Sequence, residues 1–289
     1  MPARFCVLAS GSAGNCAFVQ ADGFGVLIDA GLGPRFIASR LASVGATWRD
    51  VHAVVLTHTH SDHWKDWTLA HLRQQRVPLY CSPRHHEGLS RFGGAFVPLS
   101  EADLVRPFAE GEPLELSAGV TVRPIVVPHD ADPTYGFRID GPPGLFGPQW
   151  SIGYASDLGE ARPELIAAFA DVNVLAIEFN HCERMERMSG RPWFLIQRVL
   201  GAEGHLSNDQ AADAVRNIVR ASDPKSLKHL VQLHLSRDCN SPSLAQAAGR
   251  AALVDVQSAA AVTTAQQYAA SRVISLDGEM KRVRPAVSA

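Results

Sequence analysis

The chain has 289 residues, 46% of them hydrophobic and 19% charged, and carries a formal net charge of −2. These proportions belong to a globular protein long enough for a sizeable core, and they exclude a global basic field, so any polyanion must be met by a local patch. Five cysteines, odd in number and without CxxC spacing, argue against a disulfide framework or a thiolate zinc site and fit a reducing compartment. The start of the chain has no basic region followed by a long apolar stretch, and no apolar run reaches the ~18 residues of a membrane span. The expected location is the cytoplasm, with no membrane partner.

The apolar pattern predicts strands at Arg4 to Ala9, Ala17 to Ala21 and Gly25 to Asp29, the last two joined as a hairpin at Asp22-Gly23. Between the first two lies the small-residue turn Ser10-Gly11-Ser12-Ala13-Gly14-Asn15. It lacks the Gly-Lys-Ser/Thr of a phosphate loop and reads as a plain turn or as a place where backbone amides approach an anion. After Asp29-Ala30-Gly31 a helix is expected over Pro34 to Val44, with Phe36, Ile37, Arg40, Leu41 and Val44 on its inner face and Gly45 as its stop.

The run Val51 to Leu56 reads as a buried strand and leads into Thr57-His58-Thr59-His60-Ser61-Asp62-His63, where four potential metal ligands fall within six residues. His58 and His60, two apart, face the same side of an extended segment. Asp62 and His63 fall where the chain is expected to turn into a helix, with Ser61 as N-cap. A helical HExxH site needs its histidines at i and i+4, so this is a strand-end site with loop geometry. Three imidazoles and a carboxylate this close are awkward to bury alone, and a divalent metal is the natural partner.

A helix at Lys65 to Arg76 and a strand at Val77 to Cys81 follow, after which His85 and His86 read as surface residues. From Ala95 to Ile139 the pattern is strand-like, with turns at Gly111, Gly119 and Asp132-Pro133; its clearest run, Val120 to Val127, ends at Pro128-His129-Asp130. Trp150 to Ala155 ends at Ser156-Asp157, and after a helix at Pro163 to Phe169 the strand Val172 to Ile177 ends at Glu178-Phe179-Asn180-His181. The insert from His181 to Glu203 interleaves Arg184, Arg187, Arg191 and Arg198 with Met185, Met188, Trp193 and Phe194. Ser207 and Gln210 match a capping box ahead of a helix whose core face is Ala211, Ala214, Val215, Ile218 and Val219. Strand Leu227 to Leu235 carries His234, a helix runs from Ser241-Pro242 to about Leu253, and an edge strand is expected near Arg272 to Leu276.

Strands followed by a helix, repeated in two halves, predict two sheets packed face to face with helices outside, as one domain over residues 1–289. His129, Asp157 and His234 each stand at the end of an apolar strand, as His58 and His60 do. Strand ends in such a core converge on one rim, so these residues can meet.

The order His-x-His-x-Asp-His, a later His, an Asp, and a final His resembles the metallo-β-lactamase superfamily along nearly the whole chain. The resemblance implies an α+β fold, a four-layer αββα sandwich with a dinuclear centre at one edge of the paired sheets. It implies that His58, His60 and His129 hold one metal, that Asp62, His63 and His234 hold the other, and that Asp157 bridges. Two divalent ions are expected, zinc or manganese. Asp29 and Thr57 are candidates for hydrogen bonds to the ligating imidazoles, with core or turn roles equally open. Ser-Gly-Ser-x-Gly-Asn, Leu-Ile-Asp-Ala-Gly, Glu-Phe-Asn-His, Gly-His-Leu-Ser-Asn and His-Leu-Ser-Arg look like the YycJ/WalJ-type branch, which is related to tRNase Z-like nucleases and implies 5′–3′ exonuclease action on DNA. The branch often carries an acid after its Glu-x-Asn-His stretch, where this chain has Cys182.

The expected chemistry is phosphodiester hydrolysis by a metal-bridging hydroxide, two metals lowering the pKa of that water to roughly 7. Asp62 would orient it, His205 would protonate the leaving 3′-oxygen, and Glu178 would orient His205. Candidate substrate-binding residues are Ser12 and Asn15 of the early turn, His181, Arg184 and Arg191 of the insert, and Ser207 at the helix start; Arg187, Arg198 and a stacking Trp193 would serve a single strand. The partner is then nucleic acid, DNA foremost, single-stranded or 5′-phosphorylated. An ester, thioester or lactone hydrolase on the same site, or a non-catalytic metal protein binding nucleic acid or a partner chain, are the competing readings.

Overall fold

The computed structural model describes residues 3–276 apart from 118, 132 and 146, so the Asp132 half of the turn expected at Asp132-Pro133 lies outside the described residues. The first half of the chain runs β1 (Arg4–Ala9), β2 (Cys16–Ala21), β3 (Phe24–Ile28), α1 (Pro34–Ser43), β4 (Ala53–Val55), α2 (Asp66–Gln75), β5 (Leu79–Cys81), α3 (His86–Phe92), α4 (Phe96–Glu101) and β6 (Val105–Pro107). The second runs β7 (Leu114–Ser117), β8 (Val120–Val127), β9 (Thr134–Asp140), a small ribbon β10 (Pro143–Gly144) and β11 (Gly147–Pro148), β12 (Ser151–Ala155), α5 (Pro163–Ala168), β13 (Val174–Glu178), α6 (Glu183–Arg187), α7 (Trp193–Leu200), α8 (Asn208–Arg220), β14 (His229–Leu233), α9 (Pro242–Asp255) and β15 (Ala261–Thr264). A last short strand, β16 (Ile274–Ser275), returns to pair with β1.

The first half, completed by β16, and the second half each form one mixed sheet of seven described strands, in the orders β16-β1-β2-β3-β4-β5-β6 and β15-β14-β13-β12-β9-β8-β7. In both, antiparallel strands come first and parallel strands follow, β3 to β6 in one sheet and β12 to β15 in the other. Alternation along the strands sorts side chains into layers. Val7, Val19, Ile28 and Val55 meet Phe137, Ile152, Tyr154 and Val231 between the sheets. Leu8, Phe18 and Leu27 point the other way onto Ile37, Leu41, Leu69 and Leu72 of α1 and α2, while Leu175 and Ile177 face Phe169, Val215 and Ile218. Strands covered on both faces read as continuous apolar runs, and this is why they stood out in the sequence. Each such side chain contributes about 1.5–3 kcal/mol on burial. The αββα sandwich is the expected one.

Three local expectations are corrected, and one strand is added. Ser61 is not a helix N-cap: residues 61–63 form a turn, α2 starts only at Asp66, and the Lys65 Nζ donates to the Ser61 carbonyl at 2.5 Å. Phe96–Glu101 is a helix rather than strand-like chain, because its apolar residues Phe96 and Leu99 lie three apart and both are buried. His85 is buried, not on the surface; its Nε2 donates to the Pro133 carbonyl at 2.9 Å. Ala261–Thr264, unread in the sequence, pairs in parallel with β14 as an edge strand. Among the described residues no helix is long and apolar enough to cross a membrane.

The capping box at Ser207 is complete: the Ser207 hydroxyl accepts from the Gln210 amide and the Gln210 side chain accepts from the Ser207 amide. Ser207→Ala is expected to cost about 1 kcal/mol in urea unfolding, the usual loss for an N-cap. If Ser207 also touches substrate, oligonucleotide binding will fall with it.

Candidate metal centre

The parallel strands end on one rim, and the polar residues stand just past those ends. Asp29 follows β3, Thr57 and His58 follow β4, Asp157 follows β12 and His234 follows β14, while Glu178 closes β13 and His129 follows β8. Asp29, Asp157 and His234 take φ of 62°, 56° and 52°, the left-handed region, at the points where the chain leaves the sheet. Asp and His enter this region more readily than most side chains, and here it turns the backbone sharply off each strand end. Three contacts seat the rim. The Ser10 hydroxyl accepts from the His234 amide at 2.8 Å, the Asn15 amide donates to the Asp62 carbonyl at 2.7 Å, and Gly31 lies so close that a Cβ there would meet the Asp62 carbonyl oxygen at 1.8 Å. The small residues flanking β2 and β3 therefore let the backbone press against the histidine loop.

Donor atoms of His58, His60 and His129 lie within 4.8 Å of one another, and so do those of Asp62, His63, Asp157 and His234. Ligands 2.0–2.1 Å from a tetrahedral zinc are about 3.3 Å apart, and His60 Nδ1 stands 3.3 Å from His129 Nε2. His58 Nε2 is buried without a hydrogen-bond partner among the described residues, an orphan that a cation satisfies. The donor set fits two divalent ions.

The ring nitrogens turned away from the cluster are hydrogen-bonded, and those bonds orient the rings. Asp29, fully buried, accepts from His63 Nδ1 at 2.7 Å and from the Thr57 amide and hydroxyl, and Thr57 Oγ1 lies 3.0 Å from His58 Nδ1. His129 Nδ1 donates to the Gly204 carbonyl at 2.9 Å. Glu178 Oε1 accepts from His234 Nδ1 at 3.0 Å and from His205 Nδ1 at 2.8 Å, while its Oε2 accepts from the Leu158 and Leu206 amides. Glu178, His205, Asp157 and His234 also satisfy the spacing of a metal-holding group. Both oxygens of Glu178 are already engaged by protein donors.

The pocket draws positive charge. Burial pushes the Glu178 carboxyl up, but the His205 charge and the hydrogen bonds from His205 and His234 outweigh it and hold the pKa at about 2. Burial works against a charged His234, yet Asp157, Asp62 and Glu178 push its pKa up to about 10. Burial, reinforced by the neighbouring His63 charge, keeps His58 well below its ordinary value and therefore neutral, the form a metal takes.

A cleft of about 260 Å³ opens over this group, lined by Ser12, His60, Ser61, Asp62, Asp157, Arg198, His205 and His234. Of the expected substrate contacts, Ser12 lines it. Asn15 is fully buried beneath, its Nδ2 3.2 Å from Asp62 Oδ2. His181 is buried and its carbonyl accepts from the Asn208 amide at the start of α8. Arg191 pairs with Glu186 and Asp238, and Arg184 lines a separate outer groove with Glu183, Arg187 and Met188. Two residues went unassigned in the sequence. Asp130 places Oδ1 3.5 Å from His60 Nε2 and 3.3 Å from His129 Nε2, and Asn180 Nδ2 donates to the His234 carbonyl at 2.9 Å. The signal for Asp130 was adjacency to His129, and for Asn180 its place just past the end of β13.

A family model described as "Beta-lactamase superfamily domain" matches residues 25–223, more than half of the chain. The chain belongs to the metallo-β-lactamase superfamily. Within that superfamily it is similar to Exodeoxyribonuclease YycJ of Bacillus anthracis, 28% identical over 248 residues, which are 85% of this chain and 87% of the relative. It is also similar to Exodeoxyribonuclease WalJ of Streptococcus pneumoniae serotype 2 (strain D39), 26% identical over 242 residues, covering 84% of this chain and 85% of the relative. The crystal structure of the metallo-beta-lactamase fold protein YhfI from Bacillus subtilis superposes with a TM-score of 0.65 at 16% identity, over 95% of this chain and 99% of that one. As a member of that superfamily with a clustered His/Asp donor set, the protein is a metal-dependent hydrolase.

Because Asp29 orients His63 and, through Thr57, stands behind His58, Asp29→Ala is expected to weaken metal affinity by about 10- to 100-fold, as lost partners of ligating histidines do. Metal titration against a chelator checks this.

Proposed function

We propose that the protein is a nuclease, a phosphodiesterase that removes nucleotides from DNA in the 5′–3′ direction with two divalent ions, zinc or manganese. The observation that carries the reading is His205: it lines the cleft, belongs to neither primary donor group, and has its Nδ1 fixed by Glu178. An imidazole so held presents Nε2 to the cleft as a proton donor for a leaving 3′-oxygen. His58, His60 and His129 would hold one ion, and Asp62, His63 and His234 the other, with Asp157 between them. When bound, the ions supply an activated water and neutralise charge gathering on the phosphoryl oxygens. Asp62, held by the Asn15 amide, orients that water, and the buried Glu178 keeps His205 charged until its proton leaves. The names of the two relatives, both exodeoxyribonucleases, support DNA as the substrate.

The test is incubation with a 5′-phosphorylated single-stranded oligonucleotide, with zinc or manganese present, beside a panel of lactones and thioesters. Release of mononucleotides is expected. Turnover of the panel with no oligonucleotide cleaved by any metal form overturns the reading in favour of a small-molecule hydrolase.

A further inference from the structure

The arginine-rich insert is divided by its ion pairs. Arg187 is engaged by Glu183, at 2.6 Å from Nη2, and Arg191 by Glu186 and Asp238. Arg198 alone of the four lines the metal cleft. Its Nε donates to Asp130 Oδ2, and the other oxygen of that carboxylate stands within 3.5 Å of His60 and His129 ring nitrogens. The guanidinium is thus anchored by one edge beside the candidate metals. Its Nη1 and Nη2 have no hydrogen-bond partner among the described residues, and the side chain is 53% exposed. An anchored guanidinium with two parallel donors left over has the geometry that matches two oxygens of a phosphate. Arg198 also neutralises Asp130, which would otherwise repel a phosphodiester at the cleft mouth.

The same helix face carries a second feature. α7 buries Ile196 and Val199 and leaves Trp193 and Phe194 at 66% and 74% exposure. Phe194 lies four residues before Arg198, so the two share one face, about 6 Å apart along the axis. An exposed aromatic ring one turn from a phosphate-binding cation is the arrangement that holds a base and its backbone in single-stranded nucleic acid.

Resting on the nuclease reading above, we infer that α7 is the substrate track: Arg198 grips the non-bridging oxygens of the phosphodiester at the metals, and Phe194 stacks the base of the adjoining nucleotide of a single strand. Asp130 is a positioning residue that acts through Arg198.

The experiment measures cleavage and, by fluorescence anisotropy, binding of a labelled 5′-phosphorylated single-stranded oligonucleotide by the metal-loaded protein. Arg198→Ala is expected to lower kcat/KM by about 10- to 100-fold, the range of charge-assisted hydrogen bonds, with Arg198→Lys between it and wild type because the fork is lost but the charge kept. Phe194→Ala should raise KM by about 5- to 100-fold, the span of base stacking, with a smaller effect on kcat. Asp130→Asn should share the loss of Arg198→Ala, and the double variant should be no worse than the worse single variant. Metal content must stay at the wild-type level in each. If wild type cleaves the oligonucleotide and Arg198→Ala or Phe194→Ala cleaves it within twofold of wild type, the track is wrong while the nuclease reading stands. If wild type cleaves no oligonucleotide, the nuclease reading fails, and anisotropy decides the track: binding lost in Arg198→Ala supports it, and binding unchanged overturns it.

Discussion

His60→Ala is expected to abolish turnover, by about 1000-fold or more, and to lower bound metal from two ions to one or fewer. His60 is the ligand candidate nearest the mouth, with its side chain 33% exposed, so its loss opens no core cavity. It removes one of the three donors in its group, so an ion that would satisfy the buried, unpartnered His58 Nε2 is held by two imidazoles in place of three. A catalytic metal supplies several kcal/mol of charge stabilisation, and each 1.36 kcal/mol is a factor of ten in rate. Metal analysis by mass spectrometry, beside circular dichroism to show the fold intact, checks the result. A variant that keeps two metals and a wild-type rate would remove His60 from the centre.

His205→Ala is expected to lower kcat by about 10²- to 10⁴-fold on an oligonucleotide, the range for a general acid, with both metals retained. The effect should nearly vanish on a p-nitrophenyl phosphodiester, whose leaving group departs without a proton. The pH profile gives a second reading. Burial lowers the pKa of His205, but the charge and hydrogen bond of Glu178, with Asp157 beyond, outweigh it and raise the pKa above the ordinary 6.5. The donating form is the protonated one, so wild-type kcat should stay high through neutrality and fall as pH rises through that raised pKa. In His205→Ala this alkaline limb should be lost. If the variant instead sheds a metal, His205 is a ligand through the third donor group and not an acid.

Much of this site was legible because its parts are local. The histidine loop declares itself by ligand types at short spacing, and His129, Asp157 and His234 by standing where apolar runs stop. The insert was not legible in the same way. Its four arginines are alike in the sequence, yet their fates depend on carboxylates as distant as Asp130, Glu186 and Asp238. His85 read as a surface residue because nothing nearby in the chain announces the Pro133 carbonyl that receives it. Asn15 read as a loop amide free to meet substrate, whereas the tight approach at Gly31 buries it beneath Asp62.

By itself, the sequence determined the layers and the donor set, since strand and helix periodicity and ligand chemistry are properties of short stretches. Only the tertiary structure decided which side chains share the cleft. Left-handed turns at Asp29, Asp157 and His234 aim those residues inward, and the burial of Ile196 and Val199 sets the rotation of α7 that delivers Arg198 to the cleft. Both depend on packing between segments far apart in the chain, and that packing leaves no periodic mark on either segment alone.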